Sequence, residues 1–136
     1  MRPSVAVGSE AALGRRDMAH PQVVTRWLFG AIFILGGLNH FLNPGVYVRI
    51  MPPYLPWHRA LVAASGAAEI VLGALLLVPG GSAFAAWGLI ALLIAVFPAN
   101  LHMALHSQLY PAIPPILLWL RLPLQGVLIA WAYGYT

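Results

Sequence analysis

Four hydrophobic segments, each close to the length that crosses a bilayer, hold most of this 136-residue chain. A membrane-spanning helix needs about 20 predominantly apolar residues. The pattern therefore predicts four spans, at about residues 22–42, 58–78, 83–106 and 111–133. The sequence Pro-Gly-Gly-Ser at residues 79–82 predicts a tight turn between the second and third spans. The predicted fold class is all-α, a four-transmembrane-helix bundle.

Composition supports a membrane protein and excludes several kinds of chemistry. Hydrophobic residues make up 61% of the chain and charged residues 7%, with a mean hydropathy of +0.84. A chain this short buries too little of that surface against itself, so lipid must cover the rest. All seven basic residues are arginines without a dense patch, and no nucleic-acid partner is expected. The absence of cysteine excludes disulfides, thiol nucleophiles and thiolate-bound iron–sulfur clusters.

Residues 1–20 mix small, polar and charged types, which predicts a flexible tail ahead of a membrane domain at residues 21–136. A secretory signal is the alternative, because basic residues precede the apolar run 27–38. That run has no small-residue cleavage site after it, which favours an uncleaved first span. Arginines are most frequent in the tail and at the start of the first span. This placement predicts that both termini are cytoplasmic, in a bacterial inner membrane.

The loop between the first two spans, residues 43–57, contains four prolines and three aromatic residues, Tyr47, Tyr54 and Trp57. The prolines prevent a continuous helix, and the aromatic side chains suit a membrane interface. The sequence predicts a Pro-rich interfacial loop. Two roles stay open, an anchor at the membrane surface and a lid over a lipid-like ligand.

Glu69 and Arg121 are charges inside predicted spans, where an unpaired charge costs several kcal/mol. Counted from the loop side of the membrane, the two residues fall at similar depth, so we expect them to form a pair. One interpretation is a structural ion pair that fixes helix register. The other is a functional site, either an anchor for a ligand headgroup or a site of proton exchange.

Further polar residues lie in the middle or in the loop-side half of each span. Arg121 and Gln125 are four residues apart and share a helix face, whereas Asn100 and His102 are about 200° apart. The spacing of His102 and His106 would suit two metal ligands, but no third ligand is fixed and no metal is expected. Haem ligation by His40 and His102 is a further alternative. The predicted ligand-binding set is Glu69, Arg121, His40, Asn39, His102, Asn100 and Gln125.

Small residues and one proline predict how these spans pack. Ser65, Gly66 and Gly73 lie beside Glu69, and small residues allow close approach of a second helix. Gly36 lies one turn before His40 and suits the same role. Pro98 predicts a bend in the third span and a freed backbone carbonyl.

Five sequence blocks resemble the DoxX-like family of small four-helix membrane proteins. They are Gly-Leu-Asn-His-Phe-Leu-Asn-Pro at 37–44, Met-Pro-Pro-Tyr-Leu-Pro at 51–56, Ser-Gly-Ala-Ala-Glu-Ile-Val-Leu-Gly at 65–73, Phe-Pro-Ala-Asn-Leu-His-Met at 97–103 and Leu-Arg-Leu-Pro-Leu-Gln at 120–125. The resemblance covers about residues 25–133. The wider family includes a membrane subunit of thiosulfate:quinone oxidoreductase and a membrane protein associated with oxidative-stress enzymes. The resemblance implies a redox-associated, quinone-facing membrane protein.

The leading hypothesis is a membrane component that binds a quinone or a similar lipid within the bundle. Arg121 would donate to a carbonyl oxygen, Glu69 would orient Arg121 and exchange a proton, and His40 or His102 would be the second donor. Because no redox-active side chain is present, any electron carrier would be bound. The sequence contains no self-contained catalytic motif. If the protein takes part in catalysis, we expect it to be a membrane subunit of a quinone-linked oxidoreductase.

Two other classes of function stay open. One is a small proton-coupled transporter with Glu69 as the proton site, against which a neighbouring Arg121 would argue. The other is a non-catalytic scaffold for a redox partner protein. A homo-oligomer is compatible with each.

Overall fold

A computed structural model of the chain describes the backbone of residues 6–136 and the side chains from Gln22 onward. This part of the chain is all-helical. Its helices are α1 (Ala6–Leu42), α2 (Pro44–Ile50), α3 (His58–Leu77), α4 (Ser82–Leu105) and α5 (Pro115–Tyr133), with a short 3₁₀ turn at Ser107–Leu109. Four segments are long and apolar enough to cross a membrane: Gln22–Leu42 of α1, and α3, α4 and α5 in full. The predicted fold class is confirmed.

The predicted flexible tail covers residues 1–20. Residues 1–5 lie outside the described residues, and the backbone of residues 6–20 is helical as part of α1. The flexibility of this segment stays a prediction. The apolar part of α1, Gln22–Leu42, matches the first predicted span.

The last helix, α5, begins at Pro115, four residues later than predicted. Prolines at positions 111, 114 and 115 explain the difference. A residue that precedes a proline disfavours helical backbone angles, and proline itself suits the first position of a helix. Arg121 therefore lies about 9 Å from the start of its helix, whereas Glu69 lies about 16 Å from the start of α3, at about 1.5 Å per residue.

Helices α1 and α3 run antiparallel and touch through their backbones. Gly30 faces Gly73, and Gly37 faces Gly66, seven residues further along each helix. A Cβ atom on Gly37 would lie 2.5 Å from the carbonyl oxygen of Gly66, and one on Gly73 would lie 2.8 Å from that of Gly30. Only glycine permits this approach, as at other close transmembrane helix contacts.

The main hydrophobic core lies at the terminal end of the bundle, which we define as the end with Gln22, the 78–81 turn and Tyr133. All four spanning helices contribute to this core, including Phe29, Leu76, Leu89 and Ala132, which are fully buried. The rings of Phe29 and Trp131 are 4.7 Å apart and join α1 to α5. This end of the bundle is apolar and closely packed.

The opposite end, which we call the loop end, carries α2 and the irregular segment 51–57. His58 Nε2 lies 3.1 Å from the carbonyl oxygen of Pro52, and Pro52 is fully buried. Trp57 has a left-handed backbone with φ of 53° and precedes the first residue of α3. The loop thus turns back onto the bundle instead of extending away from it. The buried residues Met103, Ala104 and Leu118 form a smaller core between α4 and α5 at this end.

Candidate functional site

His40 and Glu69 face each other between α1 and α3. The His40 Nδ1 atom lies 2.9 Å from the carbonyl oxygen of Gly36, one turn earlier in α1. Because a carbonyl only accepts hydrogen bonds, Nδ1 carries a hydrogen, and Nε2 is the atom that faces Glu69. Nε2 lies 3.8 Å from Glu69 Oε1, and the two side chains are 11% and 16% exposed. The pair is nearly enclosed within a membrane-spanning part of the bundle.

Asn39 and Tyr47 connect this pair to α2. Asn39 donates to the hydroxyl of Tyr47 at 2.7 Å and accepts from Asn43 at 2.7 Å. The ring of Tyr47 stacks on that of His40, with centroids 3.8 Å apart and planes 20° from parallel. The position of α2 is therefore linked to the imidazole of His40.

The structure does not form the expected pair of Glu69 and Arg121. Among the described residues, the ion pair of Glu69 is with His40, and Arg121 Nη1 donates to the sulfur of Met103 at 3.6 Å. The helix order explains the difference. Helix α3 packs on α1 and α4, and α5 packs chiefly on α4, so Glu69 is turned toward α1 while Arg121 is turned toward α4. The expected similar depth was also wrong because α5 begins at Pro115, and position along a helix does not fix rotation about its axis.

Asn100 and Gln125 form a separate polar contact between α4 and α5. Asn100 donates to Gln125 Oε1 at 2.8 Å, and Gln125 Nε2 donates to the carbonyl oxygen of Leu93. Gln125 is only 4% exposed. Pro98 lies inside α4, and a proline leaves the carbonyl four residues earlier, that of Ile94, without its helical donor. The Gln125 amide therefore bonds the carbonyl of Leu93, which is next to the Ile94 carbonyl that Pro98 frees.

His102 points in a different direction from Asn100, as their spacing predicted. Its ring stacks on that of His106 at 4.4 Å and meets the ring of Tyr54 edge-on at 6.1 Å. The stacked imidazoles lie side by side instead of pointing at one metal position, and no group of three or more metal-binding side chains occurs among the described residues. His40 contacts α2 and α3 and His102 contacts the loop, so no contact brings these two imidazoles together. The predicted ligand-binding set is divided into separate clusters.

An apolar pocket of about 510 Å³ lies between α3 and α4 at the loop end. The loop residues Met51, Tyr54 and Leu55 form one wall. Small side chains repeat every four residues on both helices, at Ala64 and Ala68 of α3 and at Ala95 and Ala99 of α4. Sequence analysis did not identify this pocket, and the paired alanines were the signal that could have shown it.

A second pocket, of about 330 Å³, opens on the other side of α3. It lies between the end of α1, α2 and the first turns of α3. His40 forms part of its wall, together with Arg59 and Val62. The pocket gives His40 a route to the loop end of the bundle that does not pass through the α3–α4 pocket.

Four apolar spans with ionisable and amide side chains between them define a polytopic membrane protein whose polar residues lie inside the bundle. The chain belongs to the family described as Domain of unknown function (DUF8561), whose model matches residues 29–136. The match includes all seven predicted ligand-binding residues. No curated protein and no solved structure matches the chain.

Proposed function

We propose that this membrane protein binds a quinone or a similar lipid-like ligand in the pocket between α3 and α4. The observation that carries the proposal is the pocket itself, with about 510 Å³ of space and mainly apolar walls. Ligand sites of this size usually combine apolar walls with a few polar groups that orient the ligand. A ring with an isoprenoid tail matches that chemistry.

Tyr54 is the donor that the pocket offers to a ligand carbonyl. Among the described residues, its hydroxyl takes part in no hydrogen bond, and its ring contacts His102. Ser65 also lies on the wall, but its hydroxyl donates to carbonyls of its own helix, those of Leu61 and Val62. Tyr54 thus takes the role first expected for Arg121, and the loop acts as a lid.

The experiment is to identify lipids that copurify with the protein in mild detergent, by mass spectrometry. We expect wild-type protein to retain a quinone-class lipid and Ala68→Phe to lose at least about nine tenths of it, because the phenyl ring fills the pocket. Ala67→Phe is the matched control, since Ala67 is the neighbouring residue and is exposed. Tyr54→Phe should weaken retention while leaving the pocket open.

Equal retention by Ala68→Phe and Ala67→Phe in folded protein would contradict the proposed site. If the wild type retains no quinone but retains another lipid that only Ala68→Phe loses, the pocket is a binding site for that other class of lipid.

The wider setting follows from sequence features. The five blocks that resemble the DoxX-like family support a redox-associated protein that acts with a redox partner protein. We place the protein in a bacterial inner membrane. The excess of arginines before and at the start of the first span supports both termini in the cytoplasm.

A proton-coupled transporter is the second candidate function, and one observation favours it. The main argument against it was a permanent positive charge beside Glu69, and His40 occupies that position instead. Flux driven by a pH gradient in proteoliposomes, abolished by Glu69→Gln, would select this function. A scaffold for a partner protein would show neither flux nor specific lipid retention.

A further inference from the structure

We propose that His40 and Glu69 form a proton-exchange site inside the bundle, reached from the loop end through the pocket that His40 lines. The inference does not depend on a ligand in the α3–α4 pocket. It concerns the proton content of the pair and can be measured on the protein alone.

The first step is the tautomer of His40. Its Nδ1 hydrogen is held by the carbonyl of Gly36 at 2.9 Å. In a neutral imidazole, the other nitrogen then has a lone pair and no hydrogen. Nε2 is therefore an acceptor, and the atom it faces, Glu69 Oε1, is also an acceptor when the carboxylate is ionised. Two acceptors facing each other need a proton between them.

The second step is the location of the pair. Both side chains are nearly enclosed, and Gly36, Gly37 and Gly66 bring the two helix backbones close around them. A bare carboxylate at this depth costs several kcal/mol, which a proton on Glu69 removes and a proton on His40 lowers by pairing the charges. The pair is neutral overall with one such proton, as imidazole with carboxylic acid or as imidazolium with carboxylate.

The third step is access. His40 lies on the wall of the 330 Å³ pocket, whose other walls come from α2 and the start of α3. A proton from water at the loop end is accepted by Nε2 and passed to Glu69 Oε1, and the reverse transfer returns it. The 3.8 Å separation is longer than a hydrogen bond, so transfer requires a small side-chain rotation or one bridging water.

Other charged or titratable groups near the pair are few. Tyr47 of α2 stacks on the His40 ring, and Arg59 of α3 lies on the wall of the same pocket. Among the described residues, no ionisable side chain of α4 or α5 forms a hydrogen bond or ion pair with either partner. Arg59 contributes a positive charge near the entrance, and Tyr47 links the site to α2.

Infrared difference spectroscopy of purified protein, recorded as the pH is changed, tests the proposal. The chain has only three acidic side chains, and Glu69 is the one within a span, so its protonated carboxyl band is readily assigned with Glu69→Gln. We expect the intensity of this band to change with pH together with the ¹⁵N signals of the His40 ring. In His40→Gln, the proton concentration at the midpoint of the Glu69 band's change should differ from that in the wild type by about tenfold or more.

His106→Gln is the matched control, because His106 contacts His102 in α4 and should leave the Glu69 band unchanged. If His40→Gln does not fold, the ¹⁵N signals of the His40 ring in Glu69→Gln provide the second test. Their dependence on pH should then differ from that in the wild type. A Glu69 band that does not change with pH, or a midpoint identical in His40→Gln and wild type, would overturn the proposal. Neither result depends on whether a quinone is bound.

Discussion

At the scale of single residues, most of the predicted polar side chains within the spans have a polar neighbour, whereas the buried His102 Nε2 has no hydrogen-bond partner. His40 and Glu69 face each other, Asn39 bonds Tyr47, and Asn100 bonds Gln125. Arg121 has the weakest contact, a thioether sulfur at 3.6 Å. Since lipid offers no hydrogen bonds, polar groups in a membrane bundle turn toward protein neighbours.

The contact between Asn100 and Gln125 should make a measurable contribution to stability. A double-mutant cycle with Asn100→Leu and Gln125→Leu should give a coupling free energy of about 0.6 kcal/mol, the average for polar contacts between membrane helices, and at most about 1.7 kcal/mol. Reversible unfolding in mixed micelles measures the four free energies. A coupling near zero would show that the contact adds nothing beyond the two separate side chains.

At the scale of elements, the closest helix pair is α1 with α3, and glycines set its geometry. The backbones meet at two levels, Gly30 with Gly73 and Gly37 with Gly66. The same approach brings Glu69 against Gly36. A Cβ atom added to Gly36 would lie 3.0 Å from Glu69 Oε2. Close packing of these helices is therefore a condition for the pairing of His40 and Glu69.

An alanine at Gly37 should separate α1 from α3. Its Cβ would lie 2.5 Å from the carbonyl oxygen of Gly66, so we expect Gly37→Ala to lower the free energy of unfolding by about 1–3 kcal/mol. Gly126→Ala is the control with the same chemical change, because its Cβ meets nothing within 4 Å. That variant should be neutral or more stable by up to about 1 kcal/mol, since alanine favours helix. Equal losses in the two variants would contradict the proposed role of Gly37.

At the scale of the whole molecule, the bilayer completes the fold. Large apolar side chains such as Leu35, Val71, Phe84 and Ile116 are more than 60% exposed and lie within the spanning segments. A monomeric soluble protein rarely exposes so much contiguous apolar surface. Lipid contact explains why the helices have so few buried residues.

The arrangement of spans can be tested by labelling single cysteines, because the chain has none of its own. Trp57→Cys lies at the loop end, whereas Pro79→Cys and Thr136→Cys lie at the terminal end, and all three positions are exposed. A membrane-impermeant thiol reagent should reach Trp57→Cys in intact cells and the other two only after the cells are opened. Labelling of Trp57→Cys and Pro79→Cys from the same side would contradict the four-span arrangement.

The sequence by itself determined the architecture of this protein. Helix length and apolar composition are local properties, so the four spans and a turn between the second and third could be predicted. The sequence analysis missed the helix α2, Pro44–Ile50, inside the predicted loop 43–57. Spacing within one helix is also local, which is why Arg121 and Gln125 both face α4 and why Asn100 and His102 diverge. The start of α5 was predicted less well, because three prolines compete for the boundary.

Only the tertiary structure decided which polar residues meet. Depth in the membrane follows from position along a helix, but contact between helices also depends on rotation and on the order of packing. Glycines at positions 30, 37, 66 and 73 draw α3 onto α1 and turn Glu69 toward His40, away from Arg121. The pocket between α3 and α4 arises in the same way, because alanines on two helices leave a space only when those helices are neighbours.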